Sequence, residues 1–163
     1  MAELQLKWLE KTLNASTSDW LVVAGHYPVF SGGEHGNTPE LQEQVKPLLE
    51  KYRVDFYLCG HDHTLQHLRS DGVDYFVSGS GALVGDYKAL PQSLFGTTQN
   101  GFTAHRISKS RMDVSMNDKN GKTLYRTFIT PKRSSDVEAD VEQELQHEEK
   151  RIKKDAVKAF KIF

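Results

Sequence analysis

The sequence predicts an α/β fold: a parallel βαβ unit, then a run of antiparallel strands, then a C-terminal helix. Three observations carry this. Two apolar runs, "WLVVA" and "FYLC", are separated by a segment with helical spacing of its apolar residues. The following region holds short strand-like runs divided by Asp71-Gly72, Asn100-Gly101 and Asn120-Gly121 turn signals. The last thirty or so residues are strongly charged, acids first and bases after.

Residues 4–13 place Leu6, Leu9 and Leu13 at helical spacing with Trp8 beside them, which predicts an amphipathic helix. "WLVVA" reads as a continuous apolar strand of the kind buried on both faces. "FSGGEHGN", residues 30–37, is a glycine-rich loop. Thr38 then stands as a helix cap with Pro39 at the first helical position. Leu41, Val45, Leu48 and Tyr52 form the helix's inner stripe, and Pro47 should kink or divide it. "VDFYLC" supplies the second strand, and strand–helix–strand in this order makes a right-handed unit with parallel strands. "QHLRS", "VDYFVSG", "GFTAHRIS", "RMDVSMND" and "KTLYRTFIT" follow as hairpin strands. In the tail, Ser135 and Glu138 fit a capping box, and Val137, Val141, Leu145, Ile152 and Phe160 give a sparse apolar stripe. Acids over 136–149 and bases over 150–161 match the helix dipole, so the tail is expected to be a helix outside the main domain of residues 1–131.

Composition excludes several classes of function. A chain of 163 residues suffices for one domain with a core, and a formal net charge of −1 provides no field to recruit nucleic acid or a membrane surface. No apolar run approaches the roughly 20 residues of a membrane span, and the amphipathic N-terminus lacks a signal peptide's apolar stretch. The single Cys59 rules out an internal disulfide and reads as a small buried hydrophobe. One glycosylation sequon, Asn14-Ala15-Ser16, leaves the compartment open.

The histidines carry the chemistry. Both parallel strands end in Gly-His, at Gly25-His26 and Gly60-His61, and ligands gather at the carboxyl edge of such a sheet. Glycine there lets the backbone turn and approach a bound ion or phosphate. His63 lies two residues beyond His61 and projects to the same side in extended chain, while Asp62 points away and can orient a neighbouring imidazole. His26, His61 and His63 therefore form a candidate metal site. His35, in "GGEHG" beside Glu34, is a candidate general acid because imidazole titrates near neutrality. His67 and His105 fall inside ordinary strands and His147 in the charged tail, and these read as structural. Spacing alone stops at a metal-dependent hydrolytic site with the metal unnamed.

"VAGHYPVFS", "EHG", "YLCGHDHTLQHL", "YFVSGSGA", "GFTAHRIS" and "NGKTLYRTFI" resemble, in order, the tartrate-resistant (type 5) acid phosphatases. These are a purple acid phosphatase branch of the calcineurin-like metallophosphoesterases. The likeness covers residues 1 to about 131. It implies part of a four-layer α/β/β/α sandwich and hydrolysis of phosphate monoesters at two metals, iron with a second iron, zinc or manganese. By motif position, His26 and His61 would hold the divalent metal and His63 the other. Glu34 and His35 would face substrate, with His35 giving the leaving group its proton. The family's Gly-Asp-x-Gly, Gly-Asp-x-x-Tyr and Gly-Asn-His-Asp motifs, which supply the remaining ligands, are absent from this sequence. The resemblance thus implies the C-terminal half of a phosphatase, holding at most one ion and inactive without a missing half or partner subunit. A non-catalytic metal-binding or interaction protein, or another calcineurin-like phosphoesterase, are the alternatives.

Overall fold

The computed structural model describes residues 2–133. The tail helix, its capping box and apolar stripe, and His147 lie outside the described residues. Helix α1 (Ala2–Ala15) leads into strand β1 (Val22–Ala24), and helices α2 (Pro39–Gln44) and α3 (Lys46–Lys51) lead into β2 (Phe56–Cys59). Six strands follow: β3 (Leu65–Ser70), β4 (Val73–Ser78), β5 (Ser93–Thr97), β6 (Gly101–Ile107), β7 (Met112–Asp118) and β8 (Thr123–Ile129). The eight strands form a five-stranded sheet in the order β1-β2-β4-β3-β5 and a three-stranded antiparallel sheet β6-β7-β8.

Alternation along the strands builds two cores. Tyr57 and Cys59 of β2 and Val73, Tyr75 and Val77 of β4 face one way, where they meet Leu13 of α1 and Val45 and Leu49 of the helical crossover. Phe56 and Phe76, the intervening residues, face the other way and pack on Met112, Val114, Met116 and Ile129 of the second sheet. The period of two thus puts helices on one face of the larger sheet and the smaller sheet on the other. Each fully buried large side chain stabilises this arrangement by about 1.5–3 kcal/mol.

β1 and β2 run parallel, Val22 opposite Phe56, as the apolar runs predict. Pro47 divides the crossover into two short helices, with Val45 between them. Asp71 and Gly72, both at positive φ (49° and 79°), close the two-residue β3–β4 turn. Positive φ at both positions is the primed turn that suits a hairpin.

Four expectations need correction. β1 is three residues long with Val22 41% exposed, because it is an edge strand rather than one buried on both faces. β4 is also parallel to β2, so its hairpin with β3 extends the parallel pair into a mixed sheet. Asn100-Gly101 is no hairpin turn: the chain there leaves β5 of one sheet to begin β6 of the other, and β5 itself carries no strong sequence pattern. Thr38 caps α2 through its backbone carbonyl, which accepts from the Leu41 and Gln42 amides, with no bond from its side chain.

A buried clasp closes the described unit. The Asp55 carboxylate, fully buried, accepts from the Leu21 amide and the Lys132 amide, both at 2.7 Å. Lys132 Nζ donates to the carbonyls of Val54 and Asp55, and Arg133 to that of Ser16.

Candidate active site

The carboxyl ends of β1 and β2 bring the predicted histidines together. Two backbone bonds continue the strand ladder into the loops: Gly25 N–H to Leu58 O at 3.0 Å and Gly60 N–H to His26 O at 3.2 Å. These hold the loops in register, so His26 Nε2 and His61 Nδ1 stand 3.2 Å apart. The His35 ring lies 4.3 Å from that of His61, and Tyr27 contacts the same ring at 4.4 Å, centroid to centroid. His61 adopts φ of 64°, a left-handed backbone uncommon for a residue other than glycine. Such strain concentrates where the surrounding structure fixes a side chain for use.

Gly25 serves a different purpose from the one its sequence position suggests. A Cβ there would lie 2.1 Å from the Tyr57 hydroxyl, so glycine admits that hydroxyl to its bond with the Tyr27 carbonyl. A side chain on Gly60 would meet nothing within 4 Å.

Asp62 anchors His35. It is buried, and its Oδ1 accepts from both the His35 amide (2.9 Å) and ring Nδ1 (2.8 Å). Its other oxygen accepts from Ser31 Oγ. Gln66 supports this pair, donating through Nε2 to Ser31 Oγ (2.8 Å) and Thr64 Oγ1 (2.7 Å) and accepting from the Gly32 amide (2.9 Å). A Cβ on Gly33 would lie 2.5 Å from the Asp62 carboxyl carbon, so only glycine lets the loop come this near. Burial alone would raise the Asp62 pKa, but the bonds from Ser31 and His35 outweigh it and hold the carboxyl below its ordinary value. For His61, burial and then the neighbouring His35 and His26 lower the imidazole's pKa, against an opposing pull from Asp62.

Glu34 and His63 flank Gly85, whose Cβ would lie 3.8 Å from both, and the Gly85 amide donates to His63 O. The imidazole pair does not include His63, and among the described residues no group of three His, Cys, Asp or Glu side chains converges to hold an ion. His67 is a strut, fully buried between Asp74 (2.7 Å) and the Tyr125 hydroxyl (3.0 Å). His105 stacks on Phe56 between the sheets. Ser31, Gln66, Tyr27 and Tyr57 were not among the predicted site residues. The signal available for Gln66 was polarity: a glutamine on the buried strand β3, with Thr64 just before it, must be satisfied by something.

Comparisons with known proteins show the family. The family model for calcineurin-like phosphoesterases matches residues 1–65. The human tartrate-resistant acid phosphatase type 5 is 41% identical over 145 residues, covering 82% of this chain and 44% of that protein. This chain is a homologue of the tartrate-resistant acid phosphatases. Purple acid phosphatase 4 of Arabidopsis thaliana is 35% identical over 124 residues, covering 72% of this chain and 37% of that protein. Among solved structures, an anchor protein of the inner membrane complex of Plasmodium superposes with a TM-score of 0.76 at 24% identity. The match covers 82% of this chain and 44% of that one. A purple acid phosphatase from yellow lupin (Lupinus luteus) seeds gives 0.71 at 19% identity, covering 77% and 28%. The lupin match and the family model together show the calcineurin-like phosphoesterase fold in this chain. The chain spans less than half the length of the curated relatives it matches. Among the described residues, no helix is long and apolar enough to cross a membrane.

The metal ions that this family implies can be tested against the donors present. Two nitrogens bound at about 2.1 Å to one tetrahedral or octahedral ion stand roughly 3.0–3.4 Å apart. The 3.2 Å between His26 Nε2 and His61 Nδ1 is the spacing of neighbouring ligands. The pair fits one divalent ion as two of its ligands.

Proposed function

We propose that this chain forms the histidine-bearing part of a metal-dependent acid phosphatase that hydrolyses phosphate monoesters. The observation that carries the reading is the convergence of His26, His61 and His35, with Asp62 fixing the last of them. His26 and His61 would hold a divalent ion, zinc, manganese or iron, and His63 would serve a second, iron site completed by residues outside those described. When bound, the ions neutralise phosphate charge and activate a hydroxide for in-line attack.

The chain's own residues then have defined tasks. The Asp62 carboxylate can only accept, so His35 carries a proton on Nδ1 and turns Nε2 toward substrate. In its protonated form, His35 gives the Nε2 proton to the leaving oxygen as the P–O bond breaks. Asp62 offsets the charge on the imidazolium meanwhile. Glu34, exposed beside Gly85, would accept a hydrogen bond from the substrate.

One observation favours a second reading, a non-catalytic metal-binding or interaction protein: no three-donor group forms among the described residues. Hydrolysis of an aryl phosphate separates the two. The chain alone is expected to turn over poorly, and the chain joined to the N-terminal half of a type 5 relative to turn over well with added metal. His35→Ala in the joined protein should lower kcat by about 10²–10⁴-fold. A joined protein that binds metal but never hydrolyses the ester would favour the non-catalytic reading.

A further inference from the structure

The His26–His61 pair sits on exposed loops, yet its two nitrogens are held at ligand spacing. His26 is exposed and His61 half-buried, and among the described residues each ring's hydrogen bond is to the other. The backbone bonds set the loops in register, and ring contacts orient the imidazoles on them. Tyr27 touches both: its ring meets His61 at 4.4 Å and His26 edge-on at 5.0 Å, the latter planes 82° apart. Edge-to-face and tilted contacts of this kind are favoured arrangements for π-systems.

Tyr27 is itself fixed from beneath. Tyr57, buried in β2, donates its hydroxyl to the Tyr27 carbonyl at 2.9 Å through the gap left by Gly25. Burial pushes the Tyr57 phenol well above its ordinary pKa, so the hydroxyl keeps the proton it donates. The Tyr27 side chain is 52% exposed, so it has little duty in the core.

We propose that Tyr27 is a positioning residue for the His26–His61 donor pair, its peptide locked by the Tyr57 hydroxyl beneath Gly25. The inference rests on the reading of that pair as metal ligands. The contact surface Tyr27 provides is the ring, so phenylalanine should replace it and alanine should not. Groups that orient metal ligands without touching the ion commonly change affinity by 10–100-fold.

The test uses the 163-residue chain, its Zn²⁺ affinity measured by competition with a chromophoric chelator, and ring-to-ring nuclear Overhauser effects in the metal-free protein. Tyr27→Ala is expected to weaken Zn²⁺ about tenfold and to abolish the His26–His61 ring contact. Tyr27→Phe should stay within about twofold of the parent, and Tyr57→Phe, which removes only the hydroxyl, should fall between. Equal affinity and an intact His26–His61 contact in Tyr27→Ala would overturn the inference. If the parent binds no Zn²⁺ while Tyr27→Ala still loses the ring contact, the positioning role stands and the metal-ligand reading fails.

Discussion

Replacing Asp62 by alanine tests how the site is held. In the folded chain the carboxylate accepts three bonds, from Ser31 Oγ, the His35 amide and His35 Nδ1. Hydrogen bonds to a charged group contribute about 1.5–3 kcal/mol each, but removing the carboxylate also removes the cost of burying it. Ser31 Oγ keeps its donors from Gln66 and Gly33 and loses its acceptor, while His35, half exposed, can turn to water. The net loss should be about 2–4 kcal/mol, below the sum of three bonds. Because the folded pKa of Asp62 lies below its unfolded value of 3.8, this contribution is present above that pH and fades as pH falls below it. Urea unfolding measures the loss, and ¹⁵N spectra of the imidazoles report the second consequence: His35 should cease to be fixed as the Nδ1–H tautomer. Unchanged stability with an unchanged His35 tautomer would refute the reasoning.

The other predictions concern the scaffold. His105 is neutral by burial, its Nδ1 has no partner among the described residues, and its folded pKa is depressed below 6.5. Below pH 6.5 the unfolded chain therefore binds the extra proton, and stability should fall on acidification with a slope of at most about 1.4 kcal/mol per pH unit from this residue; His105→Phe should remove that component in pH-dependent urea titrations. Asp55→Ala orphans the Leu21 and Lys132 amides and should cost about 2–4 kcal/mol by chemical denaturation. Trp8 (61% exposed), Val22 at the edge of the parallel sheet and the neighbouring Tyr27 should make the isolated chain self-associate in light scattering, since an exposed edge and apolar surface invite pairing.

What the sequence made legible follows from what is local. The β1 and β2 pairing could be read because both strands are apolar runs joined by a patterned crossover, and the Pro47 break because proline acts on its own helix. The Asp71-Gly72 turn fixed β3 against β4, but β4's other edge, against β2, is a pairing across non-neighbouring segments that no turn announces. β5 stayed hidden because its residues are mostly half-buried and lack alternation. In the site, repeated Gly-His endings pointed to His26 and His61. The Asp62–Ser31–Gln66 network joins residues 31 to 35 apart, and which imidazole Asp62 would orient depended on the loop path. Gly25 shows the limit of motif reading: its lack of a side chain accommodates Tyr57, a residue 32 positions away, directly.

The central claim is that His26 and His61 act on one ion. Zn²⁺ affinity of the full chain, His26→Ala, His61→Ala and the double variant tests it most directly. If the two imidazoles share an ion, each single variant should lose most of what the double variant loses, and Co²⁺ loaded in place of Zn²⁺ should show the spectrum of a changed ligand set in both. Independent, additive losses, or single variants that bind like the parent, would contradict it.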